Sequence, residues 1–184
     1  MKGEILKLLK ESDGYLSGQE LCERFGVSRT AVWKVINQLK EEGYEIEAVR
    51  NKGYILKSVS DVLSKEELES SLKTRWAGKE IHYFDRTDST NIQARLAGEA
   101  GASHGTLAVA EIQDGGRGRR GRNWISPAGV GVWMSLLLRP EISPVSASML
   151  TLVMALAAQK GIKEATGIES QIKWPNDLVL NKKK

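Results

Sequence analysis

The order of helix and turn signals in the first 57 residues constrains the fold of this chain more than any other feature. Apolar residues recur at helical spacing near the N-terminus, and two more helices begin at the N-cap residues Ser17 and Ser28 and end at glycines. Two β-prone runs follow around Asn51-Lys52-Gly53, which is typical of a hairpin. Helix, helix, turn, helix and hairpin in this order predict a winged helix-turn-helix.

The third helix of this segment has an apolar face and an opposite polar face. The polar face carries Thr30, Trp33, Lys34 and Asn37, with Arg29 at its edge. A helix-turn-helix places the start of its second helix in the major groove, and these side chains suit base edges, a thymine methyl group and phosphates. A solvated face of a protein-interaction module is the alternative, but an exposed tryptophan on it argues for a partner. We therefore predict DNA binding, as a dimer on two half-sites.

The rest of the chain alternates strand-like and helical segments, which predicts an α+β fold. Ser64 and Glu67 are spaced as a capping box before a short helix. Strand-like runs occupy 81–86, 106–113, 130–138 and 171–174, and helical segments occupy 90–100 and 146–160. The expected domains are 1–60 for the winged helix-turn-helix, 61–73 for a linker and helix, and 74–184 for a mixed α/β domain.

A loop rich in glycine and arginine, residues 115–122, indicates a site for an anion. Its Gly-x-Gly-x-x-Gly spacing superficially matches a dinucleotide fingerprint, but that motif needs a helix to follow, and Pro127 and Gly129 prevent one. Glycines let the backbone wrap closely around a ligand, and arginines provide forked donors for carboxylate or phosphate. A basic surface loop or an RNA-binding segment is the alternative.

Two further clusters have open interpretations from the residues alone. Asp88-Ser89-Thr90-Asn91 precedes a helix, where small polar residues either cap the helix or bind a polar ligand; capping is the favoured role. Lys173 and Asp177 flank a turn in Lys-Trp-Pro-Asn-Asp. They are either a salt bridge or a lysine for phosphate with a carboxylate base.

Composition excludes several classes of protein. Cys22 is the only cysteine and the two histidines are far apart, so we expect neither an intrachain disulfide nor a metal held by the protein. A run of about 18 apolar residues is missing, and the N-terminus lacks the apolar core of a signal peptide. These features predict a cytoplasmic protein that does not span a membrane. The net charge of +4 gives weak support for nucleic-acid binding.

Taken together, the motifs DSTN, GRGRRGR and KWPNDL, in this order after a winged helix-turn-helix, resemble the biotin protein ligase family. The N-terminal motif resembles in particular the bifunctional bacterial members that also repress biotin synthesis genes. The resemblance implies a catalytic domain related to class II synthetases. It also implies two reactions: biotin and MgATP form biotinyl-5′-adenylate, and a carrier-domain lysine of a biotin-dependent carboxylase then takes the biotin and releases AMP.

The resemblance also implies roles for individual residues. Ser89, Thr90 and Asn91 match the segment that receives the ureido end of biotin, and Lys184 matches a lysine that binds the activated carboxyl group and phosphate. Asp177 would accept a proton from the acceptor lysine. The catalytic set is Arg119, Lys173, Asp177 and Lys184. Further contacts with biotin or its adenylate are expected from Gln113, Gly116, Arg117, Gly118, Arg119, Trp124 and Asn176.

The expected ligands and partners follow from the same resemblance. Biotin and ATP are substrates, Mg²⁺ arrives with ATP, and the macromolecular partners are operator DNA, a biotin carboxyl carrier protein domain and a second copy in a ligand-promoted homodimer. The family's catalytic domain extends beyond Lys184, so we expect this chain to be incomplete at that end. Two alternatives stay open: a biotin-responsive DNA-binding fragment without catalysis, and a related ligase that uses lipoate.

Overall fold

The computed structural model describes residues 1–58, 63–118 and 121–183. The chain forms two compact units, Met1–Leu138 and Arg139–Lys184. The first contains both the helix-turn-helix elements and the sheet that follows them. The predicted domain boundaries at residues 60 and 73 stay a prediction.

Three helices and a hairpin form the N-terminal part, as the sequence predicts. The elements are α1 (Lys2–Glu11), α2 (Gly18–Phe25), α3 (Arg29–Glu41), β1 (Glu45–Val49) and β2 (Gly53–Ser58), with the two strands antiparallel. Ser17 and Ser28 accept hydrogen bonds from the first turns of α2 and α3. The apolar faces of the helices form one core, which includes Ile5, Leu6, Leu9, Leu21, Val32, Val35, Ile36 and Leu39.

The wing depends on a glycine at the start of β2. Gly53 has φ 117°, and a Cβ there would lie 1.9 Å from the carbonyl oxygen of Leu16. Leu16 and Tyr54 exchange two backbone hydrogen bonds of 2.8 and 2.9 Å across this close approach. Only glycine combines this backbone conformation with this contact, so the segment before α2 is joined to the hairpin.

A fourth helix, α4 (Lys65–Ser71), lies between the N-terminal core and the following sheet. Ser64 caps it by accepting the N–H of Glu67, which confirms half of the predicted capping box. The Glu67 carboxylate instead binds Lys10 of α1 and accepts a hydrogen bond from Tyr44. The sequence spacing cannot predict these two partners of the Glu67 carboxylate, because both come from distant segments of the chain.

The sheet of the first unit has the order β3-β4-β5. Strands β3 (Ile81–Thr87) and β4 (Leu107–Gln113) are parallel and are joined through α5 (Thr90–Glu99), whereas β5 (Trp133–Leu136) is antiparallel to β4. The strand predicted at 130–138 is shorter in the structure, where it covers only Trp133–Leu136. The parallel pairing brings the C-terminal ends of β3 and β4 together, where the polar motif of α5 and the glycine-arginine loop begin.

The second unit contains a 3₁₀ helix, a long helix and a hairpin. They are Pro144–Ser148, α6 (Met149–Thr166), β6 (Gln171–Lys173) and β7 (Asp177–Val179), with the strands antiparallel. The helical segment Pro144–Thr166 is long and apolar enough to cross a membrane, with a mean hydropathy of 1.4, and little of it is buried. Length and composition alone are weak evidence for a span. The expectation that the protein does not cross a membrane stays a prediction.

Candidate functional site

The polar motif before α5 is organised around Asp88 rather than around a serine cap. One carboxylate oxygen, Oδ1 of Asp88, accepts the backbone N–H of Ser89 at 2.6 Å, Nε2 of Gln93 at 3.0 Å and the hydroxyl of Thr87 at 3.1 Å. The hydrogen bonds from Gln93 and from the Ser89 N–H lower the pKa of Asp88. Ser89 is the N-cap residue by position, but its side chain makes no capping hydrogen bond. Ser89 itself is buried.

Thr90 and Gln113 form the centre of a polar network at the ends of the parallel strands, in which Thr90 and Ser126 are buried and Gln113 and Ser135 are half-buried. Oε1 of Gln113 accepts both the backbone N–H of Thr90 at 2.8 Å and its hydroxyl at 3.0 Å. Ser135 on β5 lies 2.9 Å from the same threonine hydroxyl. Thr90 is 4% exposed. Because the strands and α5 meet here, residues separated by 45 positions share one set of hydrogen bonds.

The network continues into the glycine-arginine loop through Ser126. Nε2 of Gln113 donates to the Ser126 hydroxyl at 3.0 Å, and that hydroxyl donates to the carbonyl of Trp124 at 3.2 Å. The N–H of Trp124 donates to the Gly116 carbonyl at 2.8 Å. A Cβ on Gly116 would lie 2.4 Å from the Trp124 carbonyl oxygen, so this position requires glycine for close backbone approach.

The base of the loop is a narrow antiparallel stem. The N–H of Gly118 donates to the Arg122 carbonyl at 2.7 Å, and Arg117 pairs with Asn123. Arg117 is exposed, and Arg119 lies outside the described residues. The stem places at least one arginine of the loop close to the polar network and in contact with solvent, where a ligand anion can reach it.

Arg86 fixes the start of this loop at the edge of the sheet. Its guanidinium makes a two-pronged contact with Asp114, with Nε 2.9 Å from Oδ2 and NH2 3.0 Å from Oδ1. Hydrogen bonding from Arg86 lowers the pKa of Asp114. The backbone N–H groups of Asp114 and Gly115 also donate hydrogen bonds to the carbonyls of Thr87 and Asp88, at 2.9 and 2.7 Å. The loop therefore leaves the sheet in a defined direction.

The structure thus brings together part of the predicted ligand site. Thr90, Gln113, Gly116 and Trp124 are linked by hydrogen bonds, and Ser89 adjoins them. Asn91 is exposed at the start of α5, and Trp124 is exposed on the loop. The sequence reasoning missed two members of the site, Ser126 and Ser135, and it did not identify Asp88, within its predicted cluster, as the organiser of the turn. Serines in strands and loops carry no pattern that could have identified them.

The Lys-Trp-Pro-Asn-Asp motif lies in the second unit. Lys173 and Asp177 are Cα partners at the end of the β6–β7 pairing. Nδ2 of Asn176 is 3.3 Å from Oδ1 of Asp177. Lys173 and Asn176 are exposed, and Asp177 is half-buried. Lys184 lies outside the described residues, so its assigned role stays a prediction.

The predicted DNA-reading face of α3 is open to solvent. Arg29, Thr30, Trp33 and Lys34 are exposed, and Asn37 is half-buried. Arg29 adjoins a groove of about 490 Å³, which is also lined by residues of the wing, among them Arg50 and Lys52. NH2 of Arg29 donates to Oε1 of Gln19 on α2 at 2.8 Å. Basic side chains from helix and wing therefore border one groove, which is suited to a phosphate backbone.

Comparisons with known proteins identify relatives of both halves. An HTH domain family model matches residues 3–55, and the Biotin/lipoate A/B protein ligase family model matches residues 83–184. The bifunctional ligase/repressor BirA of Bacillus subtilis (strain 168) is 45% identical over 100% of this chain and 57% of its own length. That of Escherichia coli (strain K12) is 33% identical over 98% of this chain and 54% of its own length. The chain thus spans little more than half the length of these relatives.

Among solved structures, the biotin protein ligase from Aquifex aeolicus in complex with biotin and ATP is similar over 55% of this chain and 42% of its own. The sequence identity is 36% and the TM-score is 0.48.

Proposed function

The chain belongs to the biotin/lipoate A/B protein ligase family, and from that premise we propose that it activates biotin with ATP and transfers it to a lysine of a biotin carboxyl carrier protein domain. We propose further that it represses biotin synthesis genes through its winged helix-turn-helix. The first proposal is supported by the family match and by the motif order. The second is supported by the HTH domain match and by the exposed polar face of α3.

One observation carries the ligase proposal. A single run of hydrogen bonds joins Thr90 and Gln113 to the base of the glycine-arginine loop at Gly116 and Trp124. Biotin has a cyclic urea at one end and a carboxylate at the other. A polar cluster beside a basic loop is complementary to such a ligand, because the cluster offers neutral hydrogen-bonding groups and the loop offers positive charge.

The chemistry of the first step explains the basic loop. The biotin carboxylate attacks the α-phosphorus of ATP, a new C–O–P linkage forms, and pyrophosphate leaves. Two anions must approach each other, so Arg117 and Arg119 would neutralise carboxylate and phosphate charge. Lys173 and Lys184 are proposed to bind phosphate oxygens and the activated carboxyl group, and Mg²⁺ would be bound with ATP. Ser89, Asn91, Gly118, Trp124 and Asn176 complete the proposed ligand contacts.

In the second step the carrier lysine attacks the carbonyl carbon of the mixed anhydride, and AMP leaves. An ammonium group cannot attack, so a base must first remove its proton, and Asp177 is the proposed base. The repressor proposal assigns DNA contacts to Arg29, Thr30, Trp33, Lys34 and Asn37 on a ligand-promoted dimer. A protein with these partners would act in the cytoplasm.

Intact-mass analysis of a carrier domain tests the ligase proposal. Incubation with this chain, biotin and MgATP should add one biotin, and omission of ATP should prevent the addition. Thr90→Val keeps the side-chain shape but removes a hydroxyl of the network, so it should slow the transfer at least about tenfold. Thr106→Val is the matched control, because Thr106 is equally buried and bonds outside the site, to Glu80 and Ser103.

A second candidate function is DNA binding without biotin transfer. It is favoured by the HTH domain match over residues 3–55 and by the groove that Arg29 of α3 and Arg50 and Lys52 of the wing border. No mass gain with the unchanged chain would contradict the ligase proposal, and biotin-dependent binding to operator DNA in a gel-shift assay would then support this candidate.

A further inference from the structure

The direction of every hydrogen bond in the polar network is determined by one backbone group. The N–H of Thr90 can only donate, and it lies 2.8 Å from the Gln113 side-chain amide. The amide atom that faces Thr90 is therefore the oxygen, and the nitrogen points the other way, toward Ser126. A flipped amide would set two N–H groups against each other.

The orientation of Gln113 then decides the roles of Thr90 and Ser135. Because Oε1 of Gln113 is purely an acceptor, the Thr90 hydroxyl at 3.0 Å must donate its only hydrogen to it. The contact of 2.9 Å between Thr90 and Ser135 then has one solution, in which the Ser135 hydroxyl donates. Ser135 thus donates to the Thr90 hydroxyl and helps to hold it in place.

Ser126 has the corresponding role at the other end of Gln113. It accepts a hydrogen from Nε2 of Gln113 and donates its own to the Trp124 carbonyl, at 3.0 and 3.2 Å. Ser126 is 3% exposed, so water does not readily replace this bond. The serine therefore holds the Gln113 amide in place and connects it to the base of the glycine-arginine loop.

The groups left for a ligand have a definite pattern. After these bonds the Thr90 hydroxyl has a spare oxygen lone pair but no spare hydrogen, and Nε2 of Gln113 has one N–H remaining. The network thus offers an acceptor at one end and a donor at the other. A cyclic urea has two N–H donors and one carbonyl acceptor, which is the complementary set. The dithiolane ring of lipoate has no such groups and would leave them unpaired, a mismatch that binding sites reject strongly.

We propose that Ser126 and Ser135 are specificity-determining positioning residues, which hold the side chains of Gln113 and Thr90 in the orientation that the Thr90 N–H sets and thereby select a urea-headed acid over a dithiolane acid. The inference rests on the proposed function, since it concerns the same ligand site. It assigns the preference for biotin within a biotin/lipoate family to two serines that need not touch the ligand.

Isothermal titration of biotin and of lipoate, each against the full chain and its variants, tests this inference. Ser126→Ala and Ser135→Ala should each weaken biotin binding about tenfold, since an unsatisfied partner costs that much, and should leave lipoate binding unchanged. Ser70→Ala is the matched control, because Ser70 is buried and hydrogen-bonded on α4, away from the site. Ser135→Thr retains the hydroxyl and should restore most of the preference for biotin.

A second readout shows that the variants are folded and tests the orientation of the amide without a ligand. The ¹H–¹⁵N signal of the Gln113 side chain should shift in Ser126→Ala and stay in place in Ser70→Ala. If the unchanged chain fails to bind biotin, the proposed function fails and this inference falls with it. If it binds biotin but the serine variants keep the full preference for biotin over lipoate, or lose affinity for both equally, the inference alone is overturned.

Discussion

Glu67 on α4 is the residue whose replacement should most clearly loosen the contact between α4 and the N-terminal helices. Its carboxylate forms an ion pair with Lys10 of α1 and accepts hydrogen bonds from the hydroxyl of Tyr44 at 3.0 Å and from the hydroxyl of Ser71 at 3.3 Å. Glu67→Gln keeps the size of the side chain and removes its charge. Lys10 would then hold its charge in a half-buried position beside neutral oxygens only, those of Ser70 and Ser71 and the amide oxygen that replaces the carboxylate.

The size of the stability loss follows from how far the two side chains are buried. Exposed ion pairs contribute about 0.2–1 kcal/mol, whereas removing one partner of a buried pair costs about 3–5 kcal/mol. The side chains of Lys10 and Glu67 are 19% and 21% exposed, which lies between these limits. We therefore expect Glu67→Gln to lower the free energy of unfolding by about 2 kcal/mol.

Urea denaturation of a double-mutant cycle measures this effect. The cycle combines Glu67→Gln with Lys10→Met, and the coupling free energy should be about 1–2 kcal/mol. Glu99→Gln removes an exposed pair with Arg95 and serves as the control, with a loss below about 0.5 kcal/mol. Additive losses at Lys10 and Glu67 would refute the reasoning, because they would mean that the two charges do not stabilise each other.

Two further predictions concern the N-terminal part. Gly53→Ala should lower the free energy of unfolding, measured by urea denaturation, by more than about 2 kcal/mol, because it adds backbone strain and a clash with Leu16. Gly26→Ala is the control: Gly26 has φ 62° with open space around it, so this change should cost only about 1 kcal/mol. Equal losses for the two variants would contradict the packing argument. Burial, with Glu67 nearby, raises the pKa of Tyr44 to about 12. The stability that neutral Tyr44 contributes should therefore be present below about pH 10 and be lost as the pH rises toward 12, so the difference in unfolding free energy between the unchanged chain and Tyr44→Phe should shrink over that range. A constant difference would show that the pKa is not raised.

The candidate site was only partly predictable from sequence. Thr90, Gln113 and the glycine-arginine loop follow from motifs and from the family resemblance. The sequence predicts a capping role for the cluster Asp88-Ser89-Thr90-Asn91 without deciding which residue accepts, and in the structure Asp88 accepts the hydrogen bonds of that turn while the Ser89 side chain makes no capping bond. A sequence shows that a residue type can cap a helix, but competition between neighbouring acceptors depends on side-chain directions that are set by packing.

The sequence by itself determined the local elements of this protein, because helix caps, apolar periodicity and turn glycines act within a few residues. The tertiary structure decided which of these elements share contacts. The Glu67 carboxylate pairs with Lys10 instead of completing the capping box, and Thr90 is hydrogen-bonded to Ser135, 45 positions later in the chain. It also set the direction of each hydrogen bond, since one backbone N–H orients Gln113 and every later hydroxyl follows from that choice. Local propensity carries no information about such distant pairings, because they exist only after the strands have paired.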